Sequence, residues 1–360
     1  MPLRYVQIET TTLCNQRCHF CPVATEGRAF EAMPMDAFDR IVEGLRGHDV
    51  EVVYLNGFNE PTYDKNLVER VQRLRAAGNY KIILNTNASG LKPELADRLI
   101  AAGVKHYIVN LSTLDEAEYE RTRGSRDLKK VLANLDYLLE TGRSRGAVVE
   151  IVVLGNLAEA HWAAIEQIEE QFARFTPRIL VCPIAEFAGD PRRRGEIRHK
   201  TLRGCALGDR PQQWLHFTAN GQAISCCHDY QSEYVLGDIR REPVRSIWEG
   251  QALNQFRRWA TGQDEAPEDF LCRRCVMAVS DHDFIRSARA RFCESCVLPA
   301  KLGVERSCGR CVVQQVIETQ ARPVAGGGRP EGSGSSGDPG RPDRRVPERS
   351  LSDREAVSEP

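Results

Sequence analysis

Between residue 4 and about residue 185, short β-branched runs alternate six times with amphipathic helical stretches, and this alternation constrains the fold more than any other feature of the chain. The strand-like runs are RYVQIET, EVVYLNG, YKIILNTN, KHYIVNLS, AVVEIVVLG and RILVCPI. MDAFDRIVEGLRG, NLVERVQRLRAAG, PELADRLIAAG, LKKVLANLDYLLETG and HWAAIEQIEEQFARF lie between them. Strands that repeat in one sense with helices returning between them require a parallel sheet with right-handed crossovers. The reading is an α/β chain built on a partial (β/α)6 barrel. Gly47, Gly78, Gly103 and Gly142 stand where helix stops are expected. In such sheets the reactive site lies at the C-terminal strand ends.

After this barrel, assigned to residues 1–200, the chain changes character. Residues 201–277 form a small cysteine-bearing module, with WLHFT and QAISCC as a hairpin around Asn220 and Gly221, followed by the helical PVRSIWEGQALNQFRRWATG. Residues 278–320 carry further C-x2-C pairs, and 321–360 hold almost no large apolar residues, so a disordered tail is expected there.

A net charge of -1 and a pI near 6.7 leave no polyanion-binding footprint, so nucleic acid is not an expected partner. No stretch approaches 18 apolar residues and the start lacks an apolar signal core, so neither a membrane span nor secretion is expected. In the cytoplasm that this implies, thiols stay reduced, and the thirteen cysteines read as metal or cluster ligands rather than bridges.

CNQRCHFCP places Cys14, Cys18 and Cys21 at C-x3-C-x2-C in the loop after the first strand. Three thiolates on a [4Fe-4S] cube leave one iron with an open position, which can bind and polarise a small molecule. A zinc knuckle with a distant fourth ligand is the competing reading. This motif at this place resembles the signature of the radical S-adenosylmethionine (SAM) superfamily. The resemblance implies that Cys14, Cys18 and Cys21 hold the cluster, that its open iron chelates SAM, and that a 5'-deoxyadenosyl radical takes a hydrogen atom from the substrate. Phe20 matches an aromatic common beside the last cysteine. Gly57, Phe58, Asn59 and Glu60 in NGFNEP stand where the family has its Gly-Gly-Glu motif, a loose match. Asn85, Thr86 and Asn87, then Asn110 and Ser112, stand where ribose contacts fall, and Arg123 is a candidate for the SAM carboxylate. Cap and turn roles compete at each of these polar positions.

Cys205, Gly221-x4-Cys226, SIWEG and Cys272-x2-Cys275 resemble the SPASM auxiliary-cluster module in its shortened twitch form. Four thiolates complete a cube, so such a cluster stores or passes electrons. Cys226 keeps the Gly-x4-Cys spacing, and adjacent Cys227 is the alternative; structural zinc on the same thiols also remains open. Cys293, Cys296, Cys308 and Cys311 form C-x2-C-x11-C-x2-C, which suits a Zn knuckle or a further cluster. Cys182, ending the sixth strand, reads as a buried small hydrophobe or as a hydrogen-atom donor.

A twitch cluster is a fitting acceptor for the electron that a hydroxyl-bearing carbon radical releases on becoming a ketone. The arrangement resembles the 2-deoxy-scyllo-inosamine dehydrogenases and related aminoglycoside and aminocyclitol enzymes, which implies a sugar or aminocyclitol substrate and a flavodoxin or ferredoxin electron donor. Glu186 and Arg178 are the candidate bases for the hydroxyl proton. Epimerisation, with Cys182 or Cys227 returning hydrogen, is the alternative. Peptide maturation ranks lower, since 13 residues precede Cys14 where peptide-modifying members often carry a recognition domain.

Overall fold

The computed structural model describes residues 1–184, 199–205, 210–275 and 277–279. Glu186, the four cysteines from Cys293 to Cys311 and the tail from 321 lie outside the described residues.

The expected alternation is present. Strands β1 (Tyr5–Ile8), β2 (Val52–Tyr54), β3 (Lys81–Thr86), β4 (His106–Asn110), β5 (Val148–Gly155) and β6 (Arg178–Pro183) pair in parallel in sequence order. Helices α1 (Met35–Leu45), α2 (Leu67–Ala77), α3 (Pro93–Ala102), α5 (Leu128–Ser144) and α6 (Glu159–Gln171) return between them, with a short α4 (Glu116–Arg123) after β4 that the sequence patterns had not marked as a helix. Period-2 alternation turns Val6, Ile8, Val53, Ile82, Leu84, Val109, Ile151 and Val153 onto the helices, where they are buried with Phe38, Ile41, Val71, Leu99 and Leu135. The opposite face of each strand is left for the barrel interior.

One of the helix stops needs correction. Gly103 caps α3 in the left-handed region, at φ +113, as expected. α1 ends at Leu45 with Arg46 as its cap, directly before Gly47, but Gly142 lies within α5, which runs on to Ser144 and turns at Gly146. PVRSIWEGQALNQFRRWATG is likewise two helices, α8 (Val244–Glu249) and α9 (Gln251–Ala260), broken at the extended Gly250.

The second module continues the barrel sheet. After β7 (Gly204–Cys205) and the one-turn α7 (Arg210–Gln213), β8 (Trp214–Phe217) pairs in parallel with β1, and β9 (Gln222–Ile224) and β10 (Val235–Asp238) follow antiparallel. The order is β10-β9-β8-β1-β2-β3-β4-β5-β6. The β8–β9 turn uses Gly221 at φ +86, in agreement with the hairpin expected around Asn220 and Gly221. A separate pair joins β7 to β11 (Ala278–Val279). Among the described residues, no helix is long and apolar enough to cross a membrane.

Candidate active site and cluster-binding residues

The loop that follows β1 is held at the barrel mouth from both sides. Thr12 N–H donates to Glu31 O and Met33 N–H to Thr10 O, so the loop returns on itself. Arg17 N–H and His19 N–H donate to Arg123 O and Thr122 O at the end of α4. The two backbones approach closely at Gly124, φ +59, where a Cβ would stand 3.0 Å from Arg17 Cβ. Cys14, Cys18 and Cys21 thereby face one cavity of about 300 Å³, at the lower end of the range for small-molecule sites.

Strand register builds the rest of its wall. Gln7, Asn85, Asn110 and Leu154 come from the interior faces of β1, β3, β4 and β5, while Asn56, Gly57, Asn59 and Glu60 come from the loop after β2. Of the residues expected at a SAM site, Gly57, Asn59, Glu60, Asn85, Asn110 and Arg123 all reach this cavity with the three thiols. Ser112 joins through Arg123, whose Nη2 donates to its Oγ; Arg123 also lies 5.2 Å from the Phe20 ring centroid and directs Nη1 at Cys18 Sγ, 3.8 Å away.

Glu60 has a different role from a free acidic contact. Its buried carboxylate accepts from Thr62 N–H, Thr62 Oγ1, Thr86 Oγ1 and Asn87 N–H. Burial raises its pKa against these hydrogen bonds. Asn85 Oδ1 accepts from Asn110 Nδ2 at 2.7 Å, and Asn87 links to Asn15 and Ser89. Gly57 N–H is taken by Asn59 Oδ1 and Phe58 N–H by Glu9 Oε1. Glu9 and its bidentate partner Arg28, which the sequence reading passed over, brace this loop.

The donor set fits an open cube and a charged small ligand. Burial, aided by Glu60 and the two neighbouring thiols, pushes the Cys14 thiol up to about 12, a penalty that metal ligation removes because the thiolate is the ligand. Asn56 Oδ1, Asn59 Nδ2 and Arg123 Nε, all on cavity-lining residues, are buried without hydrogen-bond partners. Polar atoms in that state call for a polar ligand.

A second set of thiols gathers in the small module. Cys205 sits on β7 opposite Ala278, Cys272 lies in a 3-10 turn that Cys275 caps, and Cys226 and Cys227 follow β9. Cys226 Sγ accepts from His228 N–H and Cys275 Sγ from Met277 N–H, both at 3.4 Å and both two residues on. Such N–H···S bonds suit cluster thiolates. Among the described residues no three or more His, Cys, Asp or Glu side chains close on a point for a single metal ion. Cys227 differs from its neighbour: it lines the 300 Å³ cavity. Its Sγ accepts from Arg210 Nη1 at 3.1 Å, and hydrogen bonding from Cys226 together with the Arg210 cation holds Cys227 well below the ordinary thiol range.

Beside the main cavity lies a chamber of about 30 Å³, sharing Gln7, Asn56, Gly57, Phe58 and Cys227 with it and lined also by His216 of β8. His216 Nδ1 meets Gln7 Oε1 at 2.8 Å, while Nε2 is buried without a partner. Sequence spacing could not point to His216, because it reaches the mouth only through the β1–β8 pairing. Arg178 is corrected as a candidate base: it begins β6, at the far end from the mouth, and pairs with Glu150 at 2.8 Å. Cys182 ends β6 with Leu154 as its register partner, and Leu154 is the one that lines the cavity.

Comparison with known proteins agrees with this geometry. Residues 8–168 match the Radical SAM superfamily, and residues 205–276 match SPASM, an iron-sulfur cluster-binding domain. GTP 3',8-cyclase of Synechococcus elongatus is 30% identical over 37% of this chain and 41% of its own length, and a probable GTP 3',8-cyclase of Thermoplasma volcanium is 24% identical over 56% and 59%. The chain thus matches only about half the length of these relatives. Streptococcus suis SuiB bound to S-adenosylmethionine is similar in fold, with 16% identity and a TM-score of 0.55 over 70% of this chain and 67% of that one. So is anSMEcpe with bound AdoMet, with 12% identity and a TM-score of 0.54 over 82% and 97%. Over residues 8–168 this chain is thus similar to radical SAM domains and over residues 205–276 to the iron-sulfur cluster-binding SPASM domain, and its two thiol sets fit the SAM-binding [4Fe-4S] cluster and the auxiliary cluster that such domains hold.

Proposed function

We propose that this enzyme dehydrogenates a hydroxyl-bearing carbon of a small polar substrate, a sugar or aminocyclitol, to a ketone. Bound SAM supplies the abstraction of the hydrogen atom. What remains is to take one proton and one electron from the same carbinol centre, and the chamber beside the cavity and the auxiliary thiol set offer a group for each. The carrying observation is that Cys227, adjacent to Cys226 of the auxiliary set, lines the SAM cavity and also the chamber lined by His216. His216 Nδ1, donating to Gln7 Oε1, leaves Nε2 with a lone pair for the hydroxyl proton. A chamber of about 30 Å³ takes one water-sized group such as that hydroxyl. The four cysteines Cys205, Cys226, Cys272 and Cys275 would close the second cube, leaving it to take the electron.

Epimerisation is less well supported, since Arg210 donates to Cys227 Sγ and the sulfur stands as an acceptor rather than a hydrogen donor. A second reading, cyclisation of GTP, is favoured by the GTP 3',8-cyclase relatives. The two separate in one assay. The anaerobically reconstituted enzyme, with SAM and a reductant, is offered carbon-deuterated 2-deoxy-scyllo-inosamine and, separately, GTP. Deuterium in 5'-deoxyadenosine together with a ketone product supports dehydrogenation. Consumption of GTP with the aminocyclitol untouched replaces it with the cyclase reading, and solvent deuterium entering an unoxidised aminocyclitol replaces it with epimerisation.

A further inference from the structure

Arg210 is an arginine held between an aromatic ring and a sulfur that lines the cavity. It opens α7, and its guanidinium lies 4.4 Å from the Trp214 ring centroid while Nη1 donates to Cys227 Sγ at 3.1 Å. Nε is buried without a hydrogen-bond partner. Among the described residues it forms no ion pair with a carboxylate; the groups that interact with its charge are Cys227, Cys226, Cys205 and Tyr54. A buried cation is costly unless a counter-charge faces it, and a cluster held by Cys205 and Cys226 would supply one. The aromatic ring below and the sulfur ahead fix the guanidinium between the SAM cavity, which Cys227 lines, and the thiols of the auxiliary set.

We propose that Arg210 is the positioning residue that sets the electron affinity of the auxiliary cluster. Reduction adds one negative charge to a cube, and a fixed cation beside its thiolates in a site of low dielectric favours the reduced form. The cation therefore raises the reduction potential of the cluster, which makes it a better acceptor for an electron leaving the cavity. The inference rests on the reading that Cys205, Cys226, Cys272 and Cys275 hold a cluster, and not on the identity of the substrate.

The test is a potentiometric titration followed by electron paramagnetic resonance on the full-length reconstituted holoenzyme, with the auxiliary signal identified as the one that SAM does not perturb. Arg210→Gln is expected to keep both clusters and to disfavour reduction of the auxiliary one by about tenfold, a lowering of ~59 mV for a one-electron couple. Arg210→Lys, which keeps the charge, is expected to stay near the wild type. An unchanged potential in Arg210→Gln with iron retained overturns the proposal. Should Arg210→Gln lose its cluster, Arg210→Lys decides: a potential lowered by ~59 mV with the charge kept and iron retained overturns the proposal equally. Wild-type protein with about four irons instead of about eight overturns the cluster reading beneath it, and is distinguishable from a failure of Arg210 alone.

Discussion

Glu60 Oε2 accepts a 2.6 Å hydrogen bond from the backbone N–H of Asn87, and through it the loop after β2 is tied to the loop after β3 at the rim of the SAM cavity. The same carboxylate takes Thr62 and Thr86 hydroxyls at 2.7 and 2.6 Å, so each of these partners is a donor. Glu60→Gln places an amide NH2 against donors and is expected to cost about 1–3 kcal/mol in stability. SAM affinity should fall by about tenfold with it, since each 1.4 kcal/mol lost from a binding wall is tenfold. Differential scanning calorimetry and SAM titration of the reconstituted protein check both. Full SAM affinity with an unchanged melting temperature would show that the tie between the loops is dispensable.

Gly57 offers a steric test of the same rim. A Cβ there would stand 2.6 Å from Glu9 Cβ, a distance that backbone or side chain must relieve. Glu9 cannot move freely, because Arg28 holds both of its oxygens, at 3.0 and 2.6 Å, and Phe58 N–H donates to one of them. Gly57→Ala is therefore expected to destabilise the protein by about 1–3 kcal/mol. Gly27→Ala, where nothing lies within 4 Å, is the control and should melt with the wild type.

How much of this was legible in the sequence follows from the range of each interaction. The six-strand alternation and the C-x3-C-x2-C loop are local patterns, and both hold in the structure. Gly57, Asn59, Glu60, Asn85, Asn110 and Arg123 were placed by resemblance and do reach one cavity, but their hydrogen bonds go largely to one another, which spacing alone does not reveal. Gln7, Asn56 and Leu154 were missed because an inward polar or apolar residue at a strand end looks like any other member of a period-2 pattern. His216, Arg210 and Cys227 were beyond reach as a set. They meet the barrel mouth only because β8 pairs with β1, across more than 200 residues of chain, in a register that brings His216 opposite Gln7. The misplaced stop at Gly142 has a simpler cause: glycine is tolerated within a long helix at a cost of about 1 kcal/mol, and the turn was completed at Gly146 instead.

The adjacent cysteines give a prediction of opposite outcomes. Cys226 Sγ accepts from His228 N–H as Cys275 Sγ does from Met277 N–H, whereas Cys227 Sγ faces the cavity and Arg210. Cys226→Ser is expected to lower iron from about eight to about four per chain, and Cys227→Ser to leave it near eight. Iron and sulfide analysis after anaerobic reconstitution decides, and the reverse pattern would move the ligand to Cys227.

His216 carries a pH dependence whose sign is set by its burial. Burial lowers its pKa from 6.5 to about 4, with Arg210 and His228 acting in the same direction and Cys227 opposing them. The groups facing it are Gln7 from β1, Cys227 and His228 after β9, Arg210 from α7 and the stacked ring of Trp214 on its own strand. A histidine with a depressed folded pKa is neutral when folded, while the unfolded chain takes up its proton first. Stability that is fully present above about pH 6.5 is therefore lost progressively as pH falls toward 4, by about 3 kcal/mol for a group shifted this far. His216→Phe keeps a ring on Trp214 and removes the titration, so the difference in stability between the two proteins should narrow as pH falls through that window. Denaturant melts at pH 7, 5.5 and 4.5 measure it, and a difference that stays constant would place the acid sensitivity on the other buried histidines. The same neutrality serves the proposed chemistry: an imidazole that remains unprotonated down to about pH 4 keeps the Nε2 lone pair available at neutral pH. Ketone formation should then fall by about 10²-fold in His216→Phe while hydrogen-atom abstraction, read as deuterium in 5'-deoxyadenosine, continues. Equal loss of both would mean that His216 supports the cavity wall rather than receiving the proton.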